Sequence, residues 1–210
     1  MIVAAATIGC SHCDRGGMSR RSEDTSFESH MEAFTKEFMN RRIYTELNEE
    51  VIQGIPDKWL IQAVEDFIGI RIGHDWEHDT EKVPPLGAGF SAIHFVSILD
   101  AEVNNGGFNQ LFYNNGREAV VYARKGAELL GLEDLASLIE KALTVEQAQR
   151  DKMAAVKKAG TLEAFMKSYE DEAFDEFDDQ FVGQAPELEK AMIAFIRSHS
   201  PMFSGRADDP

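Results

Sequence analysis

Apolar side chains in this chain recur three, four and seven residues apart along almost its whole length, a spacing that admits helices and little else. Phe27, Met31, Phe34 and Phe38 fall at i, i+4, i+7 and i+11, with Asp24, Thr25 and Ser26 before them as capping residues. Leu47, Val51, Ile52 and Ile55 continue the pattern to Pro56. From Asp57 onward, Leu60, Val64 and Phe67 line one side of a helix and Ile61, Ile68 and Ile72 the other. A helix that is apolar around so much of its circumference belongs at the centre of a fold. Only 6 prolines interrupt the chain, so long stretches are free to be helical.

Punctuation divides the rest. Gly73 to Gly89, with Pro84-Pro85, reads as a loop. Ser91 caps a helix through Ile93, Val96, Ile98 and Leu99 to about Val103, and Asn104-Asn105-Gly106-Gly107 stops it. A short helical piece, Phe108 to Tyr113, ends at Asn114-Asn115-Gly116. Helices follow over Arg117 to Leu130, Glu133 to Leu143 and Val145 to Ala159, with Gly131 and Gly160 as stops. A long helix from Thr161 carries Leu162, Phe165, Met166, Tyr169, Ala173, Phe174, Phe177 and Phe181, and a last one from Pro186 carries Leu188, Met192, Phe195 and Ile196. There is no run of alternating strand pattern and no internal repeat. The expectation is an all-α fold, a single compact multi-helix domain of about seven to nine helices over residues 26–199. Residues 1–25 read as a mobile N-terminal tail and 200–210 as a polar C-terminal tail.

Charge narrows the function. The chain has 37 Asp and Glu against 21 Lys and Arg, a net charge of −16. Such a surface repels nucleic acid and anionic membranes and steers towards basic partners. The two cysteines, Cys10 and Cys13, build no disulfide framework, and the apolar start Met1 to Cys10 is short and lacks a basic region before it; both point to the cytoplasm.

Matches to catalytic motifs lack their structural settings. Cys10-Ser-His-Cys13 needs two more ligands for zinc, or a βαβ unit for redox work. His74-Asp-Trp-Glu77-His78 has the form in which two histidines one helical turn apart hold zinc and the glutamate activates water. Gly73 and the following prolines argue for a loop there, and a loop does not deliver that geometry. Gly87-Ala-Gly89-Phe-Ser-Ala92 imitates a dinucleotide fingerprint, but no strand precedes it. The reading is therefore of a protein that is not an enzyme and takes no cofactor or metal.

Residues 170–179 differ in kind: seven carboxylates in ten positions. Glu170, Asp171, Glu172, Asp175, Glu176, Asp178 and Asp179 are the candidate partner-binding residues. On one helix Asp171, Asp175, Asp178 and Asp179 share a face and recur about every 4.5 to 6 Å. A DNA strand presents phosphates about every 3.4 Å. A basic surface that accepts one array can accept the other. The bland reading, an ordinary solvated helix face, stays open beside it.

The segment Asp100 to Gly116, DAEVNNGGFNQLFYNNG, resembles the signature of an acidic bacterial family of helical proteins that includes a neisserial DNA mimic. The resemblance rests on Glu102, Asn104, Asn105, Gly106, Gly107, Phe108, Gln110, Phe112 and Asn114, and spans roughly residues 40–200. It implies an all-helical fold, a homodimer, and carboxylates that stand in for DNA phosphates on a transcription regulator. Read physically, Asn105-Gly106-Gly107 is a tight helix-to-helix turn, with Phe108, Phe112 and Tyr113 anchoring it in the core. The signature marks the fold, and the charge carries the function. The expected activity is binding the basic surface of a DNA-binding protein. The alternatives are a general interaction or immunity-type module with incidental acidity and, remotely, a zinc hydrolase using His74, Glu77 and His78.

Overall fold

The computed structural model describes residues 20–168 and 173–208. They divide at Ile43/Tyr44 into two units, each compact in itself. The first unit is built on α1 (Arg20–Met39), where Asp24, Thr25 and Ser26 lie inside the helix instead of capping it. The Arg41 guanidinium closes its C-terminal end, 3.9 Å above the Phe38 ring.

The second unit is all-α apart from one two-residue ladder. Its helices are α2 (Glu49–Gly54), α3 (Asp57–Arg71), α4 (Asp79–Lys82), α5 (Ala88–Leu129), α6 (Glu133–Ala148), α7 (Arg150–Ala159), α8 (Leu162–Ser168), α9 (Asp175–Val182) and α10 (Ala185–Ser198). Among the described residues the all-α class is borne out. Among the described residues no helix is long and apolar enough to cross a membrane. Asn48 caps α2 through its side chain, accepting from Val51 N–H at 2.9 Å. At the other end the Arg197 guanidinium of α10 donates to the Ile52 and Ile55 carbonyls and to Asp57. Carbonyls at a helix end run short of intrahelical donors; the Ile55 N–H reaches the Ile52 carbonyl at 3.3 Å, and the guanidinium adds a second donor there and one to Ile55.

The expected central helix is α3: Leu60, Val64, Phe67 and Ile68 are fully buried. Beside it α5 runs as three rods. Gly106 (φ −161°, ψ 26°) and Gly107 (φ 72°, ψ −178°) break it once, and Gly116 (φ 75°, ψ 176°) breaks it again. These are the stops expected at the two Asn-Asn-Gly clusters. The φ of Gly107 and Gly116 is a conformation that side chains rarely tolerate. The third rod returns against the first, and Gly126 makes the approach possible. A Cβ there would lie 3.0 Å from the Ala92 Cα and 2.9 Å from the Val96 side chain. Phe95 and Tyr122 stack across the same crossing at 4.9 Å.

Three expectations need correction. The long helix expected from Thr161 to Phe181 is two, because Ala173 and Phe174 form a turn before α9. The turn lets the Phe174 ring pack, tilted, 5.5 Å from that of Phe112. The supposed C-terminal tail is part of the fold. Ser200–Phe203 form a 3-10 turn, and Phe203 is wholly buried against Phe90 and Phe195. Finally, two strands exist where none was expected: β1 (Glu46–Leu47) pairs antiparallel with β2 (Gly205–Arg206). Two-residue strands are too short to show alternation, so no periodic signal announced them.

Candidate interaction surface

Helix α9 is amphipathic, and its apolar side fixes how the charged side is presented. Phe174, Phe177 and Phe181 surround Phe108, the first aromatic of the signature, with ring centroids 6.4, 6.5 and 6.3 Å away. Phe108 and Phe181 are fully buried. Aromatic pairs of this kind add about 0.5–1.5 kcal/mol each beyond area burial. They hold an eight-residue helix whose first turn carries Asp175, Glu176 and Asp178. Acidic residues there also suit the positive end of the helix dipole.

The described carboxylates separate into two sets. Asp175, Glu176 and Asp179 are exposed. Asp178 turns inward: its Oδ1 accepts the Phe108 N–H at 2.8 Å. Burial raises its carboxyl above the usual carboxylate range, the Phe108 N–H pulls it back, and Asp175 and Asp179 push it up further. So Asp178 does not share the outward face with Asp175 and Asp179. Glu170, Asp171 and Glu172 lie outside the described residues. Acidity continues onto neighbouring helices: burial raises the Asp100 carboxyl, Asn104 lowers it, and Glu189 of α10 raises it again.

The signature residues are accounted for by the first break in α5. Glu102 Oε2, before the break, accepts from Gln110 Nε2 at 2.8 Å and Asn114 Nδ2 at 2.7 Å, both after it. One carboxylate thus ties the two rods. Asn104 Nδ2 donates to the Asp100 carbonyl and carboxylate, both at 2.8 Å, closing the end of the first rod. Phe108 and Phe112 are core residues and Asn105 is exposed.

The H-x-x-E-H match does not lie on one helix. His74 has a left-handed backbone (φ 55°), and Trp76–His78 form a 3-10 turn. His78 Nδ1 faces Asp75 at 2.9 Å, and Lys82 completes that pair at 2.5 Å. Among the described residues no group of three or more His, Cys, Asp or Glu side chains is placed to hold a metal ion. Cys10 and Cys13 lie outside those residues.

One constellation escaped the sequence reading. His94, in the first rod of α5, is 1% exposed and lies between two carboxylates. Its Nδ1 is 2.9 Å from Glu65 Oε2 of α3, and its Nε2 is 3.2 Å from Asp79 Oδ2 of α4. Trp76 stacks over it at 5.5 Å. Burial opposes charge on the imidazole, but Glu65 and Asp79 outweigh it and raise the pKa to about 9. A protonated His94 donates from both nitrogens, one to each carboxylate. The available signal was a histidine inside an apolar run (Phe90 to Leu99) and a glutamate inside the central helix, with nothing in the spacing to join them.

A family model described as DMP19-like protein matches residues 88–199, a span that holds the whole signature and α9. It is the family that the signature resembles. No curated protein and no solved structure matches the chain.

Proposed function

We propose, from the premise that the chain belongs to the DMP19-like protein family, that it acts by binding the basic face of a DNA-binding protein, such as a transcription regulator, in the place of DNA. It does so without catalysing a reaction. The observation that carries this reading is the two-sided character of α9. Phe174 and Phe181, both buried, and the half-buried Phe177 fix the helix on the core while Asp175, Glu176 and Asp179 stay exposed. Asp175 and Asp179 stand one turn apart, about 6 Å along the axis. That is the order of the phosphate repeat, about 3.4 Å per nucleotide. Fixed charges on a rigid element lose little freedom on binding, and the net charge of −16 supplies long-range steering. A two-fold homodimer would double the acidic surface and suit a symmetric regulator. The compartment that fits is the cytoplasm.

The test is an affinity pull-down from lysate at low and high salt. The expected result is a DNA-binding protein that is released by added duplex DNA and lost when Asp175, Glu176 and Asp179 are changed to Lys. A partner that survives high salt and ignores the charge reversal would refute the reading. It would favour a general interaction module, for which the exposed Leu162 (75%) and Met166 (59%) of α8 are the contacts to test next.

A further inference from the structure

The carboxylate of Asp178 occupies the space that a side chain on residue 107 would need. A Cβ built on Gly107 would lie 2.2 Å from Asp178 Oδ2 and 2.7 Å from Asp178 Cγ. Real Cβ contacts do not come that close. The same carboxylate accepts the Phe108 N–H. Gly107 leaves the helical conformation at φ 72°, so Phe108 opens the second rod of α5. Its N–H is then one of the donors that a helix start leaves without an intrahelical acceptor. An N-cap side chain ordinarily meets such donors from the residue next door. Here no side chain exists at that residue, and the acceptor arrives from 70 positions away.

We propose that Asp178 is a positioning residue that caps the second rod of α5 from α9, and that the signature Gly107 is the seat that admits it. Gly107 thus serves two ends at once. It permits the positive φ of the break, and it leaves the space into which the carboxylate descends. Aspartate suits the seat because its stem is short; a glutamate would have to fold an extra methylene between α9 and the break. With Phe174, Phe177 and Phe181 packed on Phe108, this bond is the polar pin of an otherwise apolar dock. It fixes the rotation of α9 about its axis, and so which way Asp175, Glu176 and Asp179 point. That last step rests on the partner-binding reading above; the capping itself does not.

The experiment pairs hydrogen exchange with a binding probe that needs no partner identified. Full-length Asp178→Ala, Asp178→Asn, Gly107→Ala and the triple variant Asp175→Asn, Glu176→Gln, Asp179→Asn are compared with the wild type. Exchange is followed at Phe108 and across α9, with α3 amides as the internal reference for an intact fold. Poly-L-lysine affinity is measured by titration. Asp178→Ala and Gly107→Ala should speed exchange at Phe108 and in α9 on the order of tenfold, the loss of one charge-assisted hydrogen bond. They should also weaken poly-L-lysine binding. Asp178→Asn keeps an acceptor oxygen without the charge, and should restore both readouts to within about twofold of wild type. The triple variant should lose affinity with exchange unchanged. Unaltered exchange in Asp178→Ala would overturn the capping. An Asp178→Asn variant with normal exchange but the weak binding of Asp178→Ala would make Asp178 a contact charge and overturn the positioning role. If the triple variant binds as wild type, the acidic-face reading fails by itself, and the exchange arm still decides the cap.

Discussion

The stability of the second unit should fall as pH rises from 6.5 to 9, and His94 should be the cause. In the unfolded chain its imidazole has the ordinary pKa of 6.5; between Glu65 and Asp79 it is raised to about 9. The folded state therefore holds the proton more tightly than the unfolded state does. The stabilisation is complete below 6.5 and is lost progressively as pH climbs through 9. At about 1.4 kcal/mol per pH unit, the gap corresponds to on the order of 3 kcal/mol. His94→Gln removes the charge and leaves two carboxylates facing each other in the core. Breaking a buried ionic group from one side costs about 3–5 kcal/mol. Urea unfolding of wild type and variant, followed by far-ultraviolet circular dichroism at steps from pH 6 to pH 10, separates the effects. The difference between the two proteins should be largest at pH 6 and shrink by about 3 kcal/mol by pH 10. A difference that stays constant over that range would refute the reasoning, because it would mean that His94 does not change charge there.

Two further substitutions probe the packing. Gly126→Ala should lower the unfolding free energy by about 1–3 kcal/mol in urea denaturation, because its Cβ would press on the Ala92 backbone where the first and third rods cross. Phe203→Ala should cost about 3–5 kcal/mol in the same assay, since Phe203 is wholly buried against Phe90 and Phe195; a near-neutral result would return residues 200–208 to the status of a tail.

Periodicity carried the sequence reading where an element is long enough to repeat. α3, α6 and α10 each show two turns or more of buried apolar residues, and all were legible. The two Asn-Asn-Gly clusters were legible for a local reason, since a glycine with positive φ needs no tertiary context to stop a helix. The signature gave the family, and the family model agrees. What escaped depended on partners distant in sequence. Phe203 has no neighbours that repeat it, and its burial is decided by Phe90 and Phe195. His94 meets Glu65 and Asp79 from 29 and 15 residues away, joined by the fold alone. The acidic run was obvious as composition, but which of its members turn outward was not. The period that places Asp175 and Asp179 on one face also admits Asp178, and only the seat at Gly107 removes it.

The small ladder between β1 and β2 has a consequence for the order in which the protein can be completed. Glu46 faces Arg206 and Ala207 N–H donates to the Thr45 carbonyl at 2.8 Å, so the first and last stretches of the second unit lie side by side. During synthesis Leu47 and Ile52 leave the ribosome early, yet the residues that close over that end arrive some 150 positions later. Until then this corner of the core stays open, and the helices can gather but not lock. Sequence separation of this kind slows the final step of folding. It also makes the unit a ring in all but the bond: its ends are neighbours, and the chain could in principle be cut elsewhere and joined there without disturbing any helix.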